Sequence, residues 1–275
     1  MNTLHWKYRI KIETQTLIRR LYMKEQLYTI PLNDAIDAND ECPFCFIERS
    51  IEHDLLDFVL GSSASYMEPD IREMTDKAGF CRPHFQKMFD YGNTLGNAWI
   101  LKTHYQKMIR EMNSEFKSFR PGKSSLKDKF RKSTESGNAI ASWIHRKEDS
   151  CYICNQFQET YDRYMDTFFY LWKQDSDFRE KVLKSKGFCL THFGDLCSAS
   201  DAKLDGRERE GFYQCMFPLM EQNMERLAED VAWMVEKFDY RNKDADWKNS
   251  RDAIQRGMQK LKGGYPADGP YRPGK

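Results

Sequence analysis

The chain has 275 residues, and 43 Lys and Arg against 42 Asp and Glu leave a formal charge of +1 at pH 7. That balance excludes a whole-molecule attraction for nucleic acid or membrane surfaces. No apolar run reaches the roughly 20 residues a membrane-spanning helix needs, and no apolar leader runs up to a cleavage site. An aromatic content of 14% with only nine prolines favours a packed helical protein over a disordered one. The expected compartment is cytoplasmic, where closely spaced cysteines bind metal more often than they form disulfides.

Residues 1–22 read as a poorly ordered extension, with Met23 as an alternative start. Leu27, Tyr28, Thr29 and Ile30 have β character and Pro31 disfavours helix in the residue before it, which predicts a short extended segment.

A first helical module is expected over residues 23–120. Cys42 begins a helix with Pro43 in its first turn, where a missing N–H costs nothing. Phe44, Ile47, Ile51, Leu55 and Phe58/Val59 recur with helical period, and Gly61-Ser62-Ser63 ends the run. A short helix over 68–77 leads to Gly79. Cys81 and His84 then lie three apart on one side of the next helix's first turn. A long helix follows, with Leu101, Tyr105, Met108, Met112, Phe116 and Phe119 as its predicted buried stripe.

Seven Lys/Arg against one Asp over residues 117–132, with Pro121-Gly122 inside, predict a solvated basic linker, placed at 121–147. It lacks the interleaved aromatics of a nucleic-acid platform, so nucleic acid is not the expected partner.

The second module, 148–262, repeats the plan. Ile153, Phe157, Tyr161, Tyr164, Phe168 and Trp172 share one helical face, a short helix covers 175–186, and Gly187 turns the chain into Cys189 and His192. Residues 198–206 read as a loop. A long helix follows with Phe212, Cys215, Leu219, Leu227, Val231, Met234 and Phe238 as its stripe. A last helix over 247–261 should bury Ile254, Met258 and Leu261. The segment 237–244 reads as a helix stop with Phe238 and Tyr240 tucked back and its charges solvated. The tail from Gly263 is expected to be disordered.

The chemistry lies in one phrase written twice. Cys42-x-x-Cys45 is followed by Gly-Phe-Cys81-x-x-His84, and Cys151-x-x-Cys154 by Gly-Phe-Cys189-x-x-His192. The inner cysteines are separated by 35 residues in the first copy and 34 in the second. Each phrase supplies three sulfurs and one imidazole, a complete set for one four-coordinate ion. The expected fold is therefore a mainly α, duplicated helical bundle in which each half holds one Cys3His site at helix N-termini. One set is Cys42, Cys45, Cys81 and His84; the other is Cys151, Cys154, Cys189 and His192. Zinc is the expected metal, one ion per half and structural, because a filled tetrahedron leaves no place for a reacting water. An iron–sulfur cluster held by the same residues, serving electron transfer, is the alternative. A dithiol switch is a third reading, weakened because each CxxC has a matching CxxH and no strand precedes Cys151.

His5, His53, His104 and His145 read as surface or hydrogen-bonded residues. Cys197 and Cys215 read as small core residues, although Cys197 lies two helical turns past Cys189. No phosphate loop, nucleophile elbow or H-E-x-x-H is present, and no catalytic residues are assigned.

The phrase Tyr28-Thr29-Ile30-Pro31-Leu32-Asn33-Asp34-Ala35 before Cys-Pro-x-Cys, the two Gly-Phe-Cys-x-x-His phrases, and Phe238-Asp239-Tyr240-Arg241-Asn242 resemble an uncharacterised bacterial family, found chiefly in anaerobic Firmicutes and catalogued as a domain of unknown function. The resemblance covers roughly residues 23–262. It implies module boundaries but no activity. The expected role is binding or scaffolding of a partner, protein or small molecule.

Overall fold

The structure is a computed structural model that describes residues 27–120 and 138–264. The expected extension at 1–22, most of the basic linker and the tail from 265 lie outside the described residues. Eleven α-helices and no strand are found among the described residues. In chain order they are α1 (27–37), α2 (Pro43–Leu60), α3 (Pro69–Ala78), α4 (Arg82–Tyr91), α5 (Thr94–Ser118), α6 (Ala139–Glu148), α7 (Tyr152–Gln174), α8 (Ser176–Lys184), α9 (Leu190–Lys203), α10 (Gly206–Glu236) and α11 (Ala253–Lys262).

The extended segment expected at 27–31 is instead the start of α1. Leu32, Ala35 and Ile36, spaced at a helical period, are buried, and the Asn33 side chain donates to the Thr29 carbonyl at 3.0 Å. Burial of one helical face outweighs the local β preference. Two other boundaries move. Residues 139–148, placed mainly in the linker, form α6, whose N-cap Asn138 accepts from Ile140 and Ala141 and whose Trp143 is buried. The loop expected at 198–206 shrinks to two residues because α9 runs on to Lys203 before α10 starts in a capping box made by Asp205 and Glu208.

The chain forms two compact units, and these are not the two linear modules. One contains the described residues up to Ser50 and those from Thr160 onward. The other contains the described residues between Ile51 and Glu159. The chain passes from one unit to the other within α2 and again within α7.

The first unit has an aromatic core. Phe44 of α2 packs its ring against Phe168 at 5.8 Å and Phe188 at 6.0 Å; Phe168 also meets Phe178 at 5.6 Å, and Trp172 meets Phe212 at 5.3 Å. Phe44, Phe168, Phe178, Phe188 and Phe212 are fully buried, and each stabilises the fold by roughly 2–3 kcal/mol through transfer from water. The α7 stripe from Tyr161 to Trp172 is buried as the sequence predicts. On α10 the predicted stripe holds through Leu227, then turns outward at Val231.

The second unit packs Leu56, Val59, Leu60, Tyr66, Phe80, Met88, Tyr91, Ile100, Tyr152 and Ile153 into one core. The α5 stripe is rotated from expectation: Leu101, Tyr105 and Phe116 are exposed, while Gly96 and Ile100 are buried. Gly96 allows the close approach on the buried side, since a Cβ there would lie 3.0 Å from Leu60 Cδ2.

Candidate metal centres

Four helices begin in the same way. The carbonyls of Cys42, Cys81, Cys151 and Cys189 accept the first backbone bonds of α2, α4, α7 and α9, from Phe46, Phe85, Asn155 and Phe193 at 2.9–3.2 Å. Each of these cysteines is thus an N-cap, and Cys45, His84, Cys154 and His192 sit three residues on, in the first turn. Positive helix ends favour thiolate over thiol. Gly79 and Gly187 precede Cys81 and Cys189 by two residues with φ of 65° and 70°, a left-handed turn that glycine adopts without strain.

All eight predicted ligands gather into two Cys3His groups, but the groups are not the predicted ones. Cys42 and Cys45 meet Cys189 and His192 in the first unit. Cys151 and Cys154 meet Cys81 and His84 in the second. The phrase's own CxxC and CxxH do not join; each CxxC takes the CxxH of the other copy. Hydrogen bonds to backbone carbonyls accompany the exchange. Tyr152 N–H donates to the Gly79 carbonyl at 2.9 Å and Ser150 Oγ to the Ala78 carbonyl at 2.6 Å, which docks the α7 start onto the turn before Cys81. In the first unit Lys186 Nζ donates to the Asn39 carbonyl at 2.7 Å, tying the turn before Cys189 to the approach to Cys42.

In the first site His192 Nδ1 lies 3.3 Å from Cys42 Sγ, 3.5 Å from Cys45 Sγ and 3.2 Å from Cys189 Sγ, with 3.8 Å between the sulfurs of Cys45 and Cys189. In the second, His84 Nδ1 lies 3.1 Å from Cys81 Sγ, 3.2 Å from Cys151 Sγ and 3.4 Å from Cys154 Sγ, with 3.8 Å between the sulfurs of Cys81 and Cys154. Tetrahedral sulfurs around one ion at bonds of about 2.3 Å stand about 3.8 Å apart, so both donor sets fit a single ion.

Protonation points the same way. In the first site, hydrogen bonds from Cys42 and Cys45 hold the Cys189 thiol far below its usual value, while burial pushes Cys42 far up. In the second, burial opposes ionisation of Cys151, but His84 and backbone N–H groups bring it down to about 6; burial and the neighbouring Cys151 push Cys154 up to about 12. Burial disfavours a charged His84, yet Cys151 and Glu52 outweigh it and raise it to about 10. A bare quartet thus tends toward one thiolate beside one imidazolium. A divalent cation is what permits three thiolates to crowd together.

Two residues that the sequence reading missed complete the sites. His192 Nε2 meets Glu48 Oε1 at 3.0 Å, and His84 Nε2 meets Glu52 Oε1 at 3.2 Å. Both carboxylates come from α2. They select the imidazole tautomer that leaves Nδ1 free for a metal and raise its basicity. Glu48 was findable, lying one turn past Cys45 in the same helix. Glu52 was not, because it lies a further turn along α2, and its partner His84 belongs to the quartet to which α2 contributes no ligand.

The first site has a cover. Lys260 of α11 is buried and donates to the carbonyls of Glu41 at 2.5 Å and Lys186 at 2.6 Å. Gln259 donates to Asp40 at 2.5 Å. Beyond them Gly263, at φ 75°, passes so close that a Cβ would lie 3.5 Å from Cys189 Sγ and 3.8 Å from Cys45 Sγ. This inverts the expected α11: Gln259 and Lys260 face inward, while Ile254, Met258 and Leu261 are about half exposed. The segment 237–244 is inverted as well. Lys237 is buried, donating to the carbonyls of Asn242, Lys243 and Ala245, while Phe238 and Tyr240 are 80% and 81% exposed.

Among the described residues no other histidine or cysteine joins a metal-type cluster. His104 Nδ1 bonds the Asp76 carbonyl at 3.1 Å, His53 and His145 stand at the surface beside acidic side chains, and Cys197 and Cys215 are half-buried. His5 lies outside the described residues.

The fold and sites define an all-helical protein with two Cys3His groups able to hold metal. The chain belongs to a family described as a family of unknown function (DUF6062), which matches residues 23–268. No curated protein and no solved structure matches it. No helix among the described residues is long and apolar enough to cross a membrane.

Proposed function

We propose that the protein is a structural zinc protein whose two ions hold a helical frame, and that the frame binds or scaffolds a partner. The observation that carries the first part is the 3.8 Å sulfur–sulfur spacing in both quartets, with the imidazole nitrogen at 3.1–3.5 Å. Such spacing suits one ion with four filled positions, a folding element and not a hydrolytic centre. An iron–sulfur cluster spreads its ligands over several irons and needs a wider cage. The exchange of CxxH partners between two similar phrases supports an ancient duplication whose halves are interlocked by metal. The partner role is supported by the outward apolar side chains of α11 and by exposed Phe238 and Tyr240, the kind of surface that association uses.

Purification without oxygen followed by elemental analysis tests the reading. Two zinc per colourless chain is the expected result. A brown protein that bleaches in air, with iron and inorganic sulfide, replaces it with the electron-transfer reading.

A further inference from the structure

In the first unit a cavity of about 500 Å³ opens beside α10 and the turn before α11. Lys186, Arg226, Lys248, Arg251 and Arg256 line it, with Asp252 as the acidic wall residue. Five cations converge here in a chain whose net charge is +1, so composition does not explain the concentration.

The cations are not equally engaged. Arg256 is committed to protein partners: Asp230 at 3.0 Å, Asp252 at 2.9 Å and Glu41 at 3.3 Å. Arg226 is held by Glu41 at 2.5 Å and by Asn223 at 3.1 Å. These bonds make a rigid floor. Lys186 donates to the Asn39 carbonyl and feels the Glu41 carboxylate through space, without a direct ion pair to it. Lys248 and Arg251 have no carboxylate partner among the described residues; they rest on the indoles of Trp233, at 4.2 Å, and Trp247, at 5.9 Å. Lys248 also sits at φ 51°, a left-handed conformation that lysine rarely adopts, fixed by its N–H to Asp246 Oδ1 at 2.9 Å. This turn holds an uncompensated cation in the cavity lining.

We propose that this cavity is a binding site for a small phosphate-bearing anion. Its volume suits a small ligand. Lys248 and Arg251, without a carboxylate partner among the described residues, face Lys186 from a separate segment, and such a cluster matches a multiply charged group with several acceptor oxygens better than a single carboxylate. The site is independent of which metal the quartets hold.

The test is isothermal titration of the full, metal-loaded chain with inorganic pyrophosphate and with inorganic phosphate, in about 0.1 M sodium chloride to screen diffuse attraction. Saturable one-to-one binding of at least one of them is expected. Replacing both Lys248→Ala and Arg251→Ala, which are exposed and far from any ligand cysteine in sequence, should weaken it by about tenfold or more. Lys102→Ala removes a comparable lysine stacked on Trp99 at 4.4 Å in the other unit and should leave it unchanged. Absence of saturable binding by either anion, an unchanged constant in the double variant, or an equal loss in Lys102→Ala each overturns the proposal.

Discussion

The two metal centres carry the same four donors, the same N-cap positions and the same carboxylate behind the imidazole, yet solvent meets them differently. In the first unit Cys42, Cys45 and Cys189 are 0% exposed and His192 1%. In the second, Cys151 and His84 are buried, Cys81 is half-buried and Cys154 is exposed. The difference does not come from the ligands. The first centre is covered by α11, through Lys260, and by Gly263 just past its end. Donor type and spacing set what a site can hold, and a separate element sets how easily the held ion is reached.

The sharpest way to break that comparison is to remove the equivalent ligand from each site. Cys45→Ser leaves three donors in a sealed cavity and should lower stability by roughly 4 kcal/mol or fail to fold, with metal content falling from two ions to one. Cys154→Ser also loses an ion, but water can solvate what remains, so about half that effect is expected. Denaturant midpoints with parallel metal analysis measure both. Equal losses would mean that the cover over the first centre carries no energetic weight.

Chemical access should separate the sites next. Among the eight ligand positions, brief iodoacetamide treatment followed by peptide mass analysis should label Cys154 first and Cys81 after it, leaving Cys42, Cys45 and Cys189 unmodified, with the non-ligand Cys197 and Cys215 as internal references. A colorimetric chelator should draw the two ions out in two phases, the faster from the second unit. Acid should act in the same order. Cys151 has its pKa lowered from 9.0 to about 6, so its contribution to stability is complete above pH 9 and is lost as the pH falls through about 6. In the first centre Cys189 is held down while Cys42 is pushed up by burial, so the greater acid resistance expected there rests on its burial and cover and not on thiol acidity. A single release phase, or simultaneous loss on acidification, would show the centres to be equivalent in solution.

How much of this was readable from the sequence follows a physical line. The eight ligands were readable because a metal demands particular atoms at helical spacing, and Cys-x-x-Cys with Cys-x-x-His carries that demand locally. Their grouping was not, because pairing a CxxC with its own CxxH or with the other copy's satisfies the same spacing. The choice goes with long-range bonds such as Tyr152 N–H to Gly79 O. The α7 stripe was legible because large aromatic residues leave only one face to bury. The faces of α5 and α11 were misread because burial there was decided by neighbours: a glycine that admits Leu60, and a lysine whose charge is satisfied by two carbonyls and Glu41. Apolar residues at a helical period mark a helix; they do not say which way it faces.

The carboxylates behind the imidazoles offer a finer comparison. Glu48→Gln and Glu52→Gln keep a hydrogen bond to each Nε2 but remove its charge, and should each weaken metal binding at one site alone by roughly 10–100-fold. Glu52 also pairs with Lys87, which already withdraws part of its charge, so the effect at the second centre should be the smaller. Competition with a chelator of known affinity, monitored in each variant, gives the two ratios. Loss at both centres from either substitution would refute the one-carboxylate-per-centre arrangement.

The smallest expected effect tests whether the comparison concerns ligation at all. Cys197 lies on α9, the helix that Cys189 begins, but outside either quartet. It is half-buried, and burial pushes its thiol up, so it is a neutral side chain at ordinary pH. Cys197→Ser swaps sulfur for a smaller, more polar atom at a partly hydrated position and should shift stability by less than about 1 kcal/mol, with both ions retained. Had general packing of thiols near the site been what stabilises the first unit, this substitution would approach Cys45→Ser in its effect. A melting temperature close to that of the parent, beside a collapsed one for Cys45→Ser, assigns the stability to the ion and its four donors.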